Sequence, residues 1–385
     1  MGAGIARAEH MDAEAVRLEQ WLKQVYHGEM SYMANHFDMR VDPTKLVPGA
    51  KSVISLLYNY YPGEWEAKAE AEEEAKEMPD ALGKAEAEVK AKEMPDARHA
   101  DARREERMPD ARHADTRLGT QNVEYSNLTT HVSRLTNPYS QLTTHNSQLT
   151  KTSSDTAKPA EEESFKISRY AYGEDYHKVV RRKLKALVSD LKKGIGDFNA
   201  RVFVDSAPVL ERDWAKRSGQ GWIGKNTLLI NPKKGSYFFL AEIILDVELE
   251  YDHPMRDHCG TCTRCIDACP TEAISPEGYV MDGSKCISYL TIELKSQIPA
   301  SFKEHMEGWI YGCDICQEVC PWNRFSTPHS EPAFEMSSQL HEMKRADWLE
   351  MTEEVFDELF PKSAVKRAGY AGLKRNIQFL SSGDQ

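Results

Sequence analysis

Apolar residues along this chain recur in two registers, one helical and one of continuous buried runs. From Asp12 to Tyr26, Val16, Leu18, Trp21, Leu22 and Val25 return at roughly helical spacing, and Gly28 is a suitable stop. Ser52 to Tyr61 (SVISLLYNYY) is β-branched, aromatic and unbroken by charge, which predicts a buried strand ended by Pro62-Gly63. From Asp175 to Lys193, Val180, Leu184, Leu187, Val188 and Leu191 form one stripe on a helix whose other face is lysine and arginine. Arg201 to Val204 reads as a short strand and Tyr237 to Leu245 as a second buried one. Strands alternating with helices imply a mixed α/β core within an α+β protein.

The pattern fails over residues 64–164, which divide that core. Met-Pro-Asp-Ala occurs at Met78, Met94 and Met108, Arg-His-Ala-Asp at Arg98 and Arg112, and Leu-Thr-Thr-His at Leu128 and Leu142. Few large apolar residues accompany these repeats and prolines interrupt them, so a disordered, low-complexity insertion in a surface loop is expected. The domain reading that follows is 1–63 and 165–255 as two parts of one core domain, 256–325 as a cysteine-rich domain, and 326–385 as a helical C-terminal segment.

The chain of 385 residues carries a formal net charge of −12, which argues against indiscriminate nucleic-acid binding but leaves room for a local basic patch. Its eight cysteines all lie between Cys259 and Cys320. Such clustering points to metal ligation rather than disulfides. Cys259, Cys262, Cys265 and Cys269-Pro270 spell C-x2-C-x2-C-x3-C-P, the run of bacterial two-cluster ferredoxins. Cys286, Cys313, Cys316 and Cys320-Pro321 repeat it with the first ligand displaced upstream. In this pattern the cysteine before proline serves the other cluster. The pairing is therefore Cys259, Cys262, Cys265 with Cys320, and Cys286, Cys313, Cys316 with Cys269, for two [4Fe-4S] clusters. Zinc is the alternative, because four-cysteine zinc sites also use C-x2-C pairs.

Four further segments, YAYGEDYH from Tyr170, VDSAPVLER from Val204, GWIGKNT from Gly221 and SAVKRAGYAGLKRN from Ser363, occur in order around these cysteines. In these the chain resembles the epoxyqueuosine reductases, over nearly all of its length except the insertion. That family usually begins with a further helix and strand, so this edge of the core is expected to lack them. The resemblance implies a cobalamin-binding α/β core domain joined to a ferredoxin-like dicluster domain. It also implies reduction of epoxyqueuosine to queuosine in the tRNA anticodon loop, with cobalamin reduced through the two clusters. The conversion takes two electrons and two protons and loses water.

Asp205, read from its neighbours alone, suits an Asx turn or a helix cap. The resemblance makes it the proton donor, a role that a pKa raised by burial would serve. Asp175, Tyr176 and His177 stand where the basic helix begins. Alone they read as a cap and packing, and by resemblance as supporting residues of the active site. Arg40, Ser168, Asp205, Asn226, Leu229, Leu240 and Ser288, with the rest of the segment Gly221 to Leu229, are the corrinoid contacts the resemblance implies. No D-x-H-x-x-G run offers cobalt a lower histidine. Lys366, Arg367, Lys374 and Arg375, with Lys362 nearby, include no acidic residue among them and are candidate contacts to tRNA phosphates, against the plainer reading of a solvated helix face.

Two rival readings are a dicluster electron-transfer ferredoxin, which would bind no corrinoid, and a relative of the corrinoid reductive dehalogenases, which are normally exported. No apolar run is long enough to span a bilayer and MGAGIARAEH does not read as a signal peptide, so a cytoplasmic monomer is expected. It would draw electrons from an external low-potential donor.

Overall fold

The computed structural model describes residues 2–63 and 164–382. The insertion expected over 64–164 lies outside these apart from Ser164.

The central element is a four-stranded antiparallel sheet. Its strands are β1 (Gly2–Arg7), β2 (Ser52–Asn59), β4 (Ala200–Phe203) and β7 (Phe238–Leu245), in the order β1-β2-β7-β4. Between them in sequence, β3 (Lys166–Ile167) pairs instead with β8 (Trp309–Tyr311), and β5 (Trp222–Ile223) with β6 (Leu229–Ile230). Strands from both sides of residues 64–163 thus pair directly. β2 and β7 read as largely apolar runs because both faces of the sheet are covered. Ile54, Leu56, Tyr58, Phe239, Ala241, Ile243 and Leu245 pack under the helix Tyr176–Ile195, whereas Val53, Phe203 and Ile244 pack with Trp214 and Val209 on the opposite side.

Helix α1 spans Asp12–Lys23, α2 Tyr176–Ile195, α3 Glu211–Arg217, α4 Ile287–Ile292 and α5 Gly369–Ser381. The first ends earlier than its apolar spacing suggests, because Val25 takes a left-handed backbone with φ of 59° and leaves the stripe. Strand β2 stops at Asn59, where the Asn59 side-chain oxygen accepts the Tyr61 amide and turns the chain. Strand β1 forms the edge of the sheet beside β2. Its six residues contain two glycines and gave no strand signal, yet Gly4 is required there, since a Cβ would come within 2.0 Å of the Ser218 carbonyl oxygen.

Beyond the sheet, the C-terminal segment folds onto the β3–β8 pair. Ile167, Ile310 and Tyr311 share a core with Trp348, Phe356, Phe360, Val365, Leu373 and Ile377. Two short helices, Arg264–Asp267 and Ile315–Glu318, pack together, and each begins inside one of the cysteine runs.

Candidate active site

Asp205 lies two residues past β4, at the point where the chain leaves the sheet and turns toward α3. Its backbone is left-handed, with φ of 49°, a conformation that a non-glycine residue adopts at a cost of roughly 1 kcal/mol or more. The Asp205 amide donates to the Glu211 carboxylate, which holds the turn. On its side chain, Oδ2 accepts from the Tyr176 hydroxyl at 2.8 Å and lies 3.0 Å from His177 Nε2. The other imidazole nitrogen, Nδ1, is 2.7 Å from Asp175 Oδ1. That same Asp175 oxygen accepts the His177 amide and caps α2. Capping and site-building are therefore one function of Asp175, not alternatives. Tyr176 is fixed by a parallel stack on Phe239, with centroids 4.1 Å apart.

This arrangement reverses the electrostatics expected of Asp205. Its side chain is half exposed, and such desolvation as it meets would raise its pKa. The bonds from His177 and Tyr176 and the nearby positive charge of His177 outweigh that, and hold the carboxyl below the usual carboxylate range. Burial likewise opposes the charge on His177, but its two carboxylate partners push it up to about 9. At neutral pH the ionised Asp205 thus faces an imidazolium, and the transferable proton sits on His177.

The cluster forms part of the wall of a cavity of about 1890 Å³. Trp21 of α1, Tyr32, Trp222 and Thr227 of the β5–β6 hairpin, Cys286, Ser288 and Arg367 complete much of the rest. Of the seven expected corrinoid contacts, Asp205 and Ser288 line this cavity. The other five are not among the residues that line it, whereas Trp222, Ile223, Thr227 and Leu228 of the expected segment are. Buried Arg40 donates to the carbonyls of Asn35 and Tyr32, and Ser168 to Asp314. Asn226 bonds the Cys316 carbonyl at 3.1 Å, while Leu229 and Leu240 pack with Leu57 and Ala215. Sequence reasoning missed Tyr32 and the carboxyls behind Asp205. A lone glutamate inside the apolar run FFLAEIIL was the one available signal for those.

All eight cysteines are free thiols. Their mutual electrostatic influence divides them into two sets. Burial first, then the charges of Cys259, Cys320 and Cys262, push the Cys265 thiol up to about 11. Cys313 is raised by burial and by Cys286 and Cys269, and Cys316 by burial, by Cys286, Cys313 and Cys269, and last by Cys265 of the other set. A cubane takes its thiolates at separate corners, and deprotonated ligands beside its irons relieve the mutual repulsion. The hairpin GWIGKNT is tied to both cysteine loops. Trp222 Nε1 donates to Cys259 Sγ at 3.4 Å, Lys225 donates to the Gly260 and Cys262 carbonyls, and Asn226 reaches Cys316.

The C-terminal basic group is less uniform than its sequence. Arg367 pairs with Glu293 at 2.7 Å and reaches over the Tyr32 ring, Lys366 pairs with Asp357 at 3.1 Å, and Lys362 lies 3.9 Å from Glu174. Lys362, Lys366 and Arg367 line the cavity. Lys374 and Arg375 do not. Lys374 donates to the carbonyls of Leu349 and Met351, and Arg375 to those of Leu290, Leu294 and Ser296 around the end of α4.

A thiol-rich module beside a deep cavity lined by an imidazolium–carboxylate–phenol cluster defines an iron–sulfur oxidoreductase. Residues 258–323, which contain every cysteine, match the family model described as a 4Fe-4S double cluster binding domain, and residues 137–206 match Epoxyqueuosine reductase QueG, DUF1730. An epoxyqueuosine reductase of Leadbetterella byssophila is 45% identical over 377 residues, covering 98% of this chain and 92% of that protein. The Pseudomonas aeruginosa enzyme of the same name is 35% identical, covering 97% of this chain and 79% of that one. A crystal structure of epoxyqueuosine reductase with a tRNA-Tyr epoxyqueuosine-modified tRNA stem loop superposes with a TM-score of 0.68 at 25% identity, over 99% of this chain and 76% of that one. The chain belongs to the epoxyqueuosine reductase family.

Proposed function

We propose that this protein reduces epoxyqueuosine in tRNA to queuosine. His177, paired with Asp205, delivers protons at the cavity wall, and the eight cysteines would hold two [4Fe-4S] clusters, whose chemistry is the supply of electrons. The observation that carries this reading is the hydrogen-bonded Asp205–Tyr176–His177 cluster on a cavity that Cys286 also lines. The cysteine sets {Cys259, Cys262, Cys265, Cys320} and {Cys269, Cys286, Cys313, Cys316} follow both the spacing rule and the electrostatic grouping.

The cavity suits cobalamin in size. At about 1890 Å³ it exceeds the roughly 300–1,000 Å³ of ordinary small-molecule sites, as a corrinoid with its side chains requires. Trp222, Thr227, Ser288 and the Tyr176 cluster would contact it, while Arg40, Ser168, Asn226, Leu229 and Leu240 support the walls. Bound there, cobalamin supplies a metal centre that can be reduced to a low-valent, strongly nucleophilic or radical-generating state. The protein's own residues handle the oxygen. His177 holds a proton against Asp205, Asp175 fixes the ring from the other side, and Tyr176 offers a further hydroxyl donor. A leaving oxygen near Asp205 takes one proton from His177 and, once solvent has reprotonated the imidazole, a second by the same route, and departs as water.

Lys362, Lys366 and Arg367 are the proposed tRNA phosphate contacts, set at the cavity beside the reacting group. Lys374 and Arg375 serve this surface indirectly by holding the segment folded. The test is anaerobic single-turnover conversion of epoxyqueuosine-bearing tRNA by cluster-loaded protein, with and without cobalamin, read by mass spectrometry of the released nucleosides. Cobalamin-dependent appearance of queuosine is expected. Absence of conversion by protein that holds both clusters and cobalamin would overturn the reading.

A further inference from the structure

Strand β7 is apolar on both faces except at Glu242. The alternation of the strand sends this side chain, with Leu240 and Ile244, toward α3. There it is fully buried, and neither carboxylate oxygen finds a donor. Along the same row of the sheet, Ser55 of β2 is its direct cross-strand neighbour and Phe203 of β4 lies on the other side. The Ser55 hydroxyl is buried and equally unpartnered, and beyond it Gly4 has no side chain to offer. Facing the row from α3 is Glu211, which shares the sheet-facing stripe with Trp214 and Ala215 and accepts the Asp205 amide. Two carboxyl groups therefore meet with no cation bonded to either of them among the described residues.

Leaving a carboxylate dry and unpaired costs several kcal/mol, so such a group keeps its proton. The charges that reach the pair point the same way. Burial and then the charges of Glu211 and Asp205 push Glu242 well above the carboxylate range. Burial and Asp205 raise Glu211 to about 8, against a smaller opposing effect of its Asp205 amide bond, Arg212 and His177. A protonated Glu242 is a hydrogen-bond donor, and the acceptor in front of it is Glu211.

We propose that Glu242 holds a proton and donates it to Glu211, and that this shared proton latches the left-handed Asp205 turn by keeping Glu211 in place to accept the Asp205 amide. Glu242 is thus a positioning residue that acts through Glu211 and never touches substrate. The inference rests on Asp205 belonging to the reacting site. With the proton present, Asp205 is presented to Tyr176 and His177. When both glutamates ionise they repel, Glu211 withdraws, and the turn is released.

The test compares Glu242→Gln, which keeps a neutral donor, with Glu242→Leu, which keeps volume but no donor. Infrared spectra of the cluster-loaded protein, taken on the alkaline side of about pH 8 where Glu211 is ionised, should retain a protonated carboxylic acid band that is missing from Glu242→Gln. Absence of that band in the unsubstituted protein, or its persistence in Glu242→Gln, overturns the proposal. This readout needs no turnover, so it stands apart from failure of the functional reading. In single-turnover assays Glu242→Gln should convert tRNA at close to the unsubstituted rate, and Glu242→Leu should lose on the order of tenfold without a lower unfolding temperature. Equal rates for the two variants, whether both unchanged or both reduced, also overturn it.

Discussion

Replacing Asp205 with asparagine tests the site at its centre. Asparagine preserves size and tolerates the left-handed backbone at φ of 49°, so the turn and the amide bond to Glu211 should survive. What is lost is one of the two carboxylates that bracket His177. The rise of that imidazole from 6.5 to about 9 corresponds to ~3 kcal/mol in favour of the charged form, at about 1.4 kcal/mol per pH unit. Roughly half should disappear with Asp205, so the ring should titrate about one pH unit lower. The sign for stability follows. A raised histidine pKa stabilises the fold fully below about 6.5 and ceases to do so as pH rises through about 9. Thermal unfolding of the unsubstituted protein should therefore lose part of its margin across this window, and Asp205→Asn should lose less. NMR titration of the His177 ring, assigned against His177→Gln, measures the first quantity. Single-turnover conversion measures the second, and general acid catalysis is typically worth about 10²- to 10⁴-fold. An unchanged His177 titration, or near-normal conversion by Asp205→Asn, would refute the reasoning and shift the acid role to Tyr176 or His177 acting without it.

Anaerobic reconstitution should yield about eight irons and eight sulfides per chain, whereas stoichiometric zinc without iron would remove the cluster assignment. Trp222→Phe, which deletes the indole donor 3.4 Å from Cys259 Sγ, should lower the reduction potential of the cluster bound there, and potentiometric titration followed by electron paramagnetic resonance will show no change if that bond is unimportant. Arg367→Ala should weaken tRNA binding and reduce the salt slope by about one, while Arg375→Ala should lower the unfolding temperature with little change in that slope, since its guanidinium holds three carbonyls around α4. Equal effects of the two substitutions on the slope would contradict this division.

Spacing carries much of the chemistry. Cysteine-to-cysteine intervals determine a dicluster module because a loop a few residues long can reach only neighbouring corners of a cube, and the displaced Cys286 is recognisable by what its partners lack. The long stripe from Val180 to Leu191 and the largely apolar runs in β2 and β7 likewise fix a helix and two central strands, since the periodicity of apolar positions is a local property. β1 escaped notice because an edge strand with two glycines carries little side-chain signal, and only β2 gives it a partner. The roles of single polar residues were not local. Lys374 and Arg375 read like Lys366 and Arg367 in sequence, yet backbone carbonyls brought in from elsewhere in the chain claim the first two. Asp205 looked like an acid awaiting burial. It is instead held below the carboxylate range by His177, 28 positions away in sequence, while the raised pKa falls on Glu211 and Glu242 behind it. The sequence by itself determined which chemical groups the protein owns and the family they belong to. Which group is charged, and which only supports a wall, was decided by tertiary packing, because desolvation and Coulomb interactions depend on distance through space and not along the chain.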